Sequence, residues 1–263
     1  MSYITGEYLW QVALKFLSRQ AGLSPDAIFG GVSIIVIFAF SLTITRSIGL
    51  PWIVLLLNPL VVNFAFSQLR LALAVGLALI FQHFYLRGPF RAAAVAVALS
   101  MVHTATILFF FMGGVAKLIT SKSAWSRTYV ALVPLVLSGM LVALLIGPAR
   151  ETILGLAGDR RATYDDLSSS GLYLSFWLVL LAVLFYRWKA TSNRFETGFT
   201  IAILSLVATN LVTGGYSTRF IAAAFPFFII SIAGLDTKYR TIVLYIFGLY
   251  ALSQWAYWFR LLG

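Results

Sequence analysis

A chain of 263 residues with 61% hydrophobic side chains, 10% charged ones and a mean hydropathy of +0.95 is no soluble globular domain, which runs nearer half apolar and a quarter charged. The net charge of +11 does not point to nucleic acid, because Lys and Arg stand singly between apolar runs rather than in one patch. Without cysteine, and with only His83 and His103 as histidines, disulfides, thiolate chemistry and the usual zinc ligand sets are excluded.

Apolar runs long enough for a ~30 Å hydrocarbon core recur along the chain, so a helical membrane protein is expected rather than a barrel. The predicted fold is all-α: one polytopic transmembrane bundle over residues 1–263, with about eight full spans. Glu7 to Gln20 places Leu9, Val12, Ala13, Phe16 and Leu17 opposite Gln11, Lys15, Ser18 and Arg19. That pattern suits a helix lying in the membrane interface, with residues 1–26 as an outer segment and no cleavable signal. Ser24-Pro25-Asp26 reads as a helix start, and the first span runs from Ala27 to Thr45. Leu50 to Phe66 is the second, with a kink expected at Asn58-Pro59. The third covers Leu69 to Leu86, and Arg87-Gly88-Pro89-Phe90-Arg91 makes a basic turn.

Ala92 to Ala116 poses the topological question. Arg87 and Arg91 flank it on one side, Lys117, Lys122 and Arg127 on the other, and acids are absent from both flanks. If both flanks are cytoplasmic, the segment enters and returns, turning near His103 with arms of ~15–20 Å, about half a membrane. The alternative is one ordinary crossing. Further spans are expected at Thr128–Ile146, Gly171–Tyr186, Gly198–Val212, Arg219–Leu235 and Thr241–Phe259. With the re-entrant form, eleven basic and two acidic residues lie inside, against eight basic and six acidic outside.

Charged groups at membrane depth cost on the order of 2.5–3.5 kcal/mol and so face a cavity, a partner or a substrate. Arg70 opens an apolar run, and His103 has no other ionisable neighbour between Arg91 and Lys117. Together with Arg219 and the outer loop over residues 147–170, they are expected to line one wet cavity. Guanidinium groups suit a pyrophosphate, and a neutral His, Asp165 or Asp166 suits proton removal from a hydroxyl. Simpler readings stay open: Arg70 snorkelling to the interface, His103 bonded in the core, and the aromatics Trp255, Tyr257 and Trp258 as packing or belt residues.

Four short motifs stand in order along the chain: Gly6-Glu7-Tyr8-Leu9-Trp10, Phe66 to Ala74 around Gln68 and Arg70, Val102-His103-Thr104-Ala105-Thr106, and Ser217-Thr218-Arg219-Phe220, with Tyr164 before the last. Together they resemble those of the EpsG-type, Wzy-like bacterial polysaccharide polymerases. Leu71 stands where that family commonly has Gln, and its usual outer Gly-Leu-Arg-x-x-x-Gly-x-Asp-Tyr type motif is not found, so a form shortened at the N-terminus is expected. The resemblance implies a glycosyltransferase-type polymerase in the bacterial inner membrane, joining repeats carried on polyprenyl pyrophosphate at the outer face. It implies His103 and Arg70 as catalytic, and Arg219, Gln68, Tyr164, Asp165, Asp166, Arg160, Arg161, Tyr216 and Glu7 as substrate-binding. No metal or other cofactor is expected. Partners would be the lipid-linked glycan, membrane lipid and other polysaccharide-assembly proteins. The rival functions are a lipid-linked glycan flippase or carrier, and a non-catalytic regulator of a longer polymerase.

Overall fold

The computed structural model describes residues 7–84, 88–121, 128–149, 152, 171–214 and 217–262. Every regular element among them is helical. In chain order these are α1 (Tyr8–Lys15), extended by a π turn to Gln20, then α2 (Pro25–Ile48), α3 (Pro59–Ser67), α4 (Leu69–Phe84), α5 (Pro89–Ser100) and α6 (Thr106–Ser121). There follow α7 (Leu132–Ile146), α8 (Gly171–Arg187), α9 (Arg194–Thr213), α10 (Ser217–Ala223), α11 (Phe225–Ala233) and α12 (Thr237–Leu262).

Five helical stretches are long and apolar enough to cross a membrane: Pro25–Ile48, Tyr129–Ile146, Tyr173–Ala190, Arg194–Thr213 and Thr237–Arg260. The chain is therefore a multi-pass helical membrane protein. The eight full spans expected from the sequence are not all present as single helices, and each shortfall has a local cause. Leu50–Leu56 and Pro59–Ser67 bend by 72° where Asn58-Pro59 interrupts them; counted as one broken span they make a sixth. Asn58 caps the new helix, its Oδ1 accepting from Leu60 N at 2.9 Å. Arg219–Leu235 is split into α10 and α11 at Ala224, just before Pro226, since a proline cannot donate to the preceding turn. Leu69–Phe84 is a helix of 16 residues, about 24 Å. Ala92–Ala116 breaks over Met101–Ala105, with His103 at its centre.

The interior is organised on α9. Two thirds of its span window is buried, against 11% for α12, which runs along the outside. α7 lies against α9 at Gly139, where a Cβ would collide with the Ala202 carbonyl and stand 2.9 Å from Leu206 N. α2 packs on α4 beside Gly76, and Ser33 Oγ donates to Ala65 O at 2.8 Å, tying α2 to α3. Ser24, the expected cap of α2, accepts from Ala27 N at 3.2 Å. His83 belongs to this framework, with Nε2 3.2 Å from Thr43 Oγ1. A cluster of Phe176, Trp177, Phe225, Phe228 and Tyr250 joins α8, α11 and α12, with Trp177 Nε1 donating to the Tyr250 hydroxyl at 2.9 Å.

Candidate functional site

Three helix boundaries lie close together, two of them sharing the Glu7 side chain. The first is the α3–α4 junction, where Gln68 (φ −114°, ψ 45°) ends one helix and Leu69 begins the next. This puts Arg70 in the first turn of α4, a position where the helix dipole disfavours a cation. The second is Met101–Ala105, which leaves carbonyls at the end of α5 to be satisfied and presents His103. The third is the start of α10, which packs against α3 and α4.

The N-terminal helix closes the first two together. Leu9 N donates to Met101 O at 3.2 Å, so the first turn of α1 is bonded to the α5–α6 break. That bond delivers Glu7 between the two cationic side chains: Oε2 meets Arg70 Nη1 and Oε1 meets His103 Nδ1. The Glu7 side chain is 3% exposed, that of His103 16% and that of Arg70 51%. A carboxylate is thus held out of water while the guanidinium keeps half its surface open. Glu7 also has a left-handed backbone (φ 47°, ψ 52°) and is the non-glycine residue with positive φ among those described. Such a conformation costs a side-chain-bearing residue about 1–2 kcal/mol. Because an ionised carboxylate only accepts, the proton between it and the ring sits on Nδ1. In the neutral imidazole that leaves Nε2 as the basic nitrogen.

A cavity of about 660 Å³ has Gln68, two residues before Arg70, in its wall. Its walls come from α3 and its exit (Leu60, Asn63, Gln68), α8 (Tyr173), α10 (Thr218, Ala222) and α12 (Tyr250, Ser253, Gln254, Tyr257, Trp258). No charged side chain among the described residues lines it. Trp255 fastens this wall, its Nε1 donating to Leu57 O at 3.0 Å.

Of the residues expected from the sequence, Glu7, Arg70 and His103 are brought together, and Gln68 joins them to the cavity two residues before Arg70. Arg219 is exposed on α10, between Thr218 on the cavity wall and Phe220, whose ring stacks on Phe109 at 5.0 Å. Arg160, Arg161, Tyr164, Asp165, Asp166 and Tyr216 lie outside the described residues. Sequence reasoning passed over the α12 wall, treating Tyr257 and Trp258 as belt residues. The signal was present: Tyr250, Gln254, Tyr257 and Trp258 fall at i, i+4, i+7 and i+8, one face of a helix. No family model, no curated protein and no solved structure matches the chain.

Proposed function

We propose that this protein is a membrane glycan polymerase, joining oligosaccharide repeats carried on polyprenyl pyrophosphate at the outer face of the bacterial inner membrane. The observation that carries the reading is the buried Glu7 carboxylate seated on His103 and Arg70 at two facing helix breaks. Glu7 orients the imidazole, and His103 Nε2 takes the proton of an acceptor hydroxyl as its oxygen bonds the anomeric carbon of the donor sugar. The bond from that carbon to the pyrophosphate breaks, and the negative charge leaves on the polyprenyl pyrophosphate. Arg70, half exposed beside the dyad, supports the leaving oxygens, with Arg219 on the neighbouring helix as a second guanidinium. The break at His103, with arms shorter than a membrane's thickness, suits a re-entrant pair that holds its turn at mid-depth.

A second reading has one observation in its favour. The Glu7 carboxylate neutralises cationic charge in the centre, which suits a non-catalytic helix clasp in a regulator of a longer polymerase.

Expression in a strain deleted for its own polymerase separates the two. The wild-type chain is expected to restore glycan ladders. Arg70→Ala and Arg70→Lys should leave single repeats on the lipid carrier, because Lys lacks the planar fork, and His103→Ala should lower polymer formation by ~10²-fold or more. Normal ladders from Arg70→Ala at matched membrane abundance would overturn the polymerase reading.

A further inference from the structure

The cavity walled by α3, α8, α10 and α12 has a chemistry of its own, distinct from that of the Glu7 centre. Its polar groups are amides and hydroxyls: Asn63, Gln68, Thr218 and Gln254 among them. Gln68 Oε1 is buried without a hydrogen-bond partner among the described residues, whereas the Gln254 amide faces the Tyr173 and Tyr250 hydroxyls on the same wall. A buried acceptor of this kind is ordinarily satisfied. The rings of Tyr257 and Trp258 complete the wall, and Tyr257 is 63% exposed. Among the described residues, the cavity lining offers no charged side chain to a phosphate or carboxylate headgroup. Nor does it suit an acyl chain alone. The smaller cavity of about 300 Å³ beside Ile37, Val54 and Phe66 shows what an apolar lining looks like in this protein, and its surface is almost free of polar atoms. A volume of about 660 Å³ lies within the ~300–1,000 Å³ range of small-molecule sites.

Amides to bond hydroxyls, aromatic faces to cover C–H surfaces and no charged side chain among the described lining residues fit an uncharged, polyhydroxylated ring. We infer that this cavity is a saccharide subsite, with Gln68 and Gln254 bonding ring hydroxyls and Tyr257 and Trp258 stacking on the sugar face. It rests on the polymerase reading for its role, since Gln68 lies two residues from Arg70 and would set the sugar next to the charged centre. Its binding chemistry does not depend on that reading.

The chain has no cysteine, so Ser253→Cys on the cavity wall gives a single thiol. Its labelling rate is measured in lipid nanodiscs with octyl β-glucoside, octyl β-galactoside and octyl β-N-acetylglucosaminide, each below its micellar concentration. The control is tetraethylene glycol octyl ether, which has the same tail and an uncharged headgroup without a sugar ring. At least one glycoside is expected to slow labelling about tenfold while the control changes it less than twofold. Gln254→Leu and Gln68→Leu should each abolish the protection, with folding checked by unchanged labelling in the absence of probe. If neither variant folds, Trp258→Leu serves as the third wall change. Equal protection by the control would make this an alkyl-chain cavity, and no protection by any of the three sugars would remove the subsite. Both outcomes overturn the inference. Because the probes carry no phosphate, loss of protection with Arg70-dependent ladders intact rejects the subsite alone, whereas protection without Arg70-dependent ladders rejects the polymerase reading alone.

Discussion

Removing Arg70 should undock the N-terminal helix, and the size of the effect follows from how unequally the pair is buried. Breaking a buried ion pair costs about 3–5 kcal/mol because a charge is left without compensation. An exposed pair is worth about 1 kcal/mol or less. Glu7 is at the buried extreme with 3% of its side chain exposed, while Arg70 keeps 51%, so an intermediate loss of about 2 kcal/mol is expected for Arg70→Ala. At about 1.4 kcal/mol per decade this is roughly a 30-fold rise in the undocked population. Leu9, half-buried and bonded through its backbone to Met101 O, reports the event: a Leu9→Cys thiol should label about 30-fold faster when Arg70 is Ala. Glu7→Gln removes the buried charge together with its partner's task, and the exposed guanidinium can turn to water. The double variant Glu7→Gln/Arg70→Ala should therefore label at nearly the Glu7→Gln rate, not at the product of the two single effects. Multiplicative effects, or a change below about threefold for Arg70→Ala, would refute the argument that these residues form one buried electrostatic unit.

Two further changes probe the frame around the centre. Gly139→Val drives side-chain atoms into the Ala202 carbonyl and the Leu206 amide of α9, and overpacking of this kind costs about 1–3 kcal/mol or more. It should lower the melting temperature in detergent and the membrane yield, and wild-type melting would show that α7 and α9 are not in backbone contact. For the α5–α6 pair, Phe90→Cys and Ser121→Cys should both react with an impermeant thiol reagent only after permeabilisation, as two ends on one face of the membrane; labelling of one of them in intact cells marks a single crossing.

The parts legible in the sequence were those governed by local rules. Ser24 and Pro25 at the start of α2 and the interruption at Asn58-Pro59 fall where capping and proline geometry put them, and the amphipathic run after Glu7 is helical as its periodicity indicates. The chemical centre was legible in part, because Arg70 and His103 are ionisable groups in apolar surroundings. Their common partner was harder to see. Glu7 is 63 residues from Arg70 and 96 from His103, and no periodicity encodes a pairing that depends on where α1 docks. Breaks within the expected spans were hidden for a related reason: hydropathy averages over a window, so it does not register that Ala224 and Pro226 divide one apolar run into two short helices. The α12 wall was missed because Trp and Tyr near a helix end have a bland use at the membrane interface. Only the face of the helix, set by neighbouring α3 and α8, distinguishes a cavity lining from a belt.

A buried carboxylate in an apolar helical bundle calls for a physical reason. In an unbroken apolar helix the backbone N–H and C=O groups are already satisfied by one another and are not available to a ligand or a partner helix. The centre is assembled instead where helices stop, at Gln68 and at Met101–Ala105. There α1 serves twice, donating Leu9 N to the Met101 carbonyl and inserting Glu7. As a stabilising device this is inefficient. Buried ion pairs seldom outperform well-packed apolar side chains, Arg70 stands at the unfavourable end of a helix dipole, and the left-handed backbone of Glu7 adds a local cost. A helix clasp needs none of these features, since apolar contacts would hold α1 as well. The proposed base dyad uses the carboxylate shielded from water and the imidazole bonded through Nδ1, and the proposed leaving-group role uses the guanidinium left half open to a second anion.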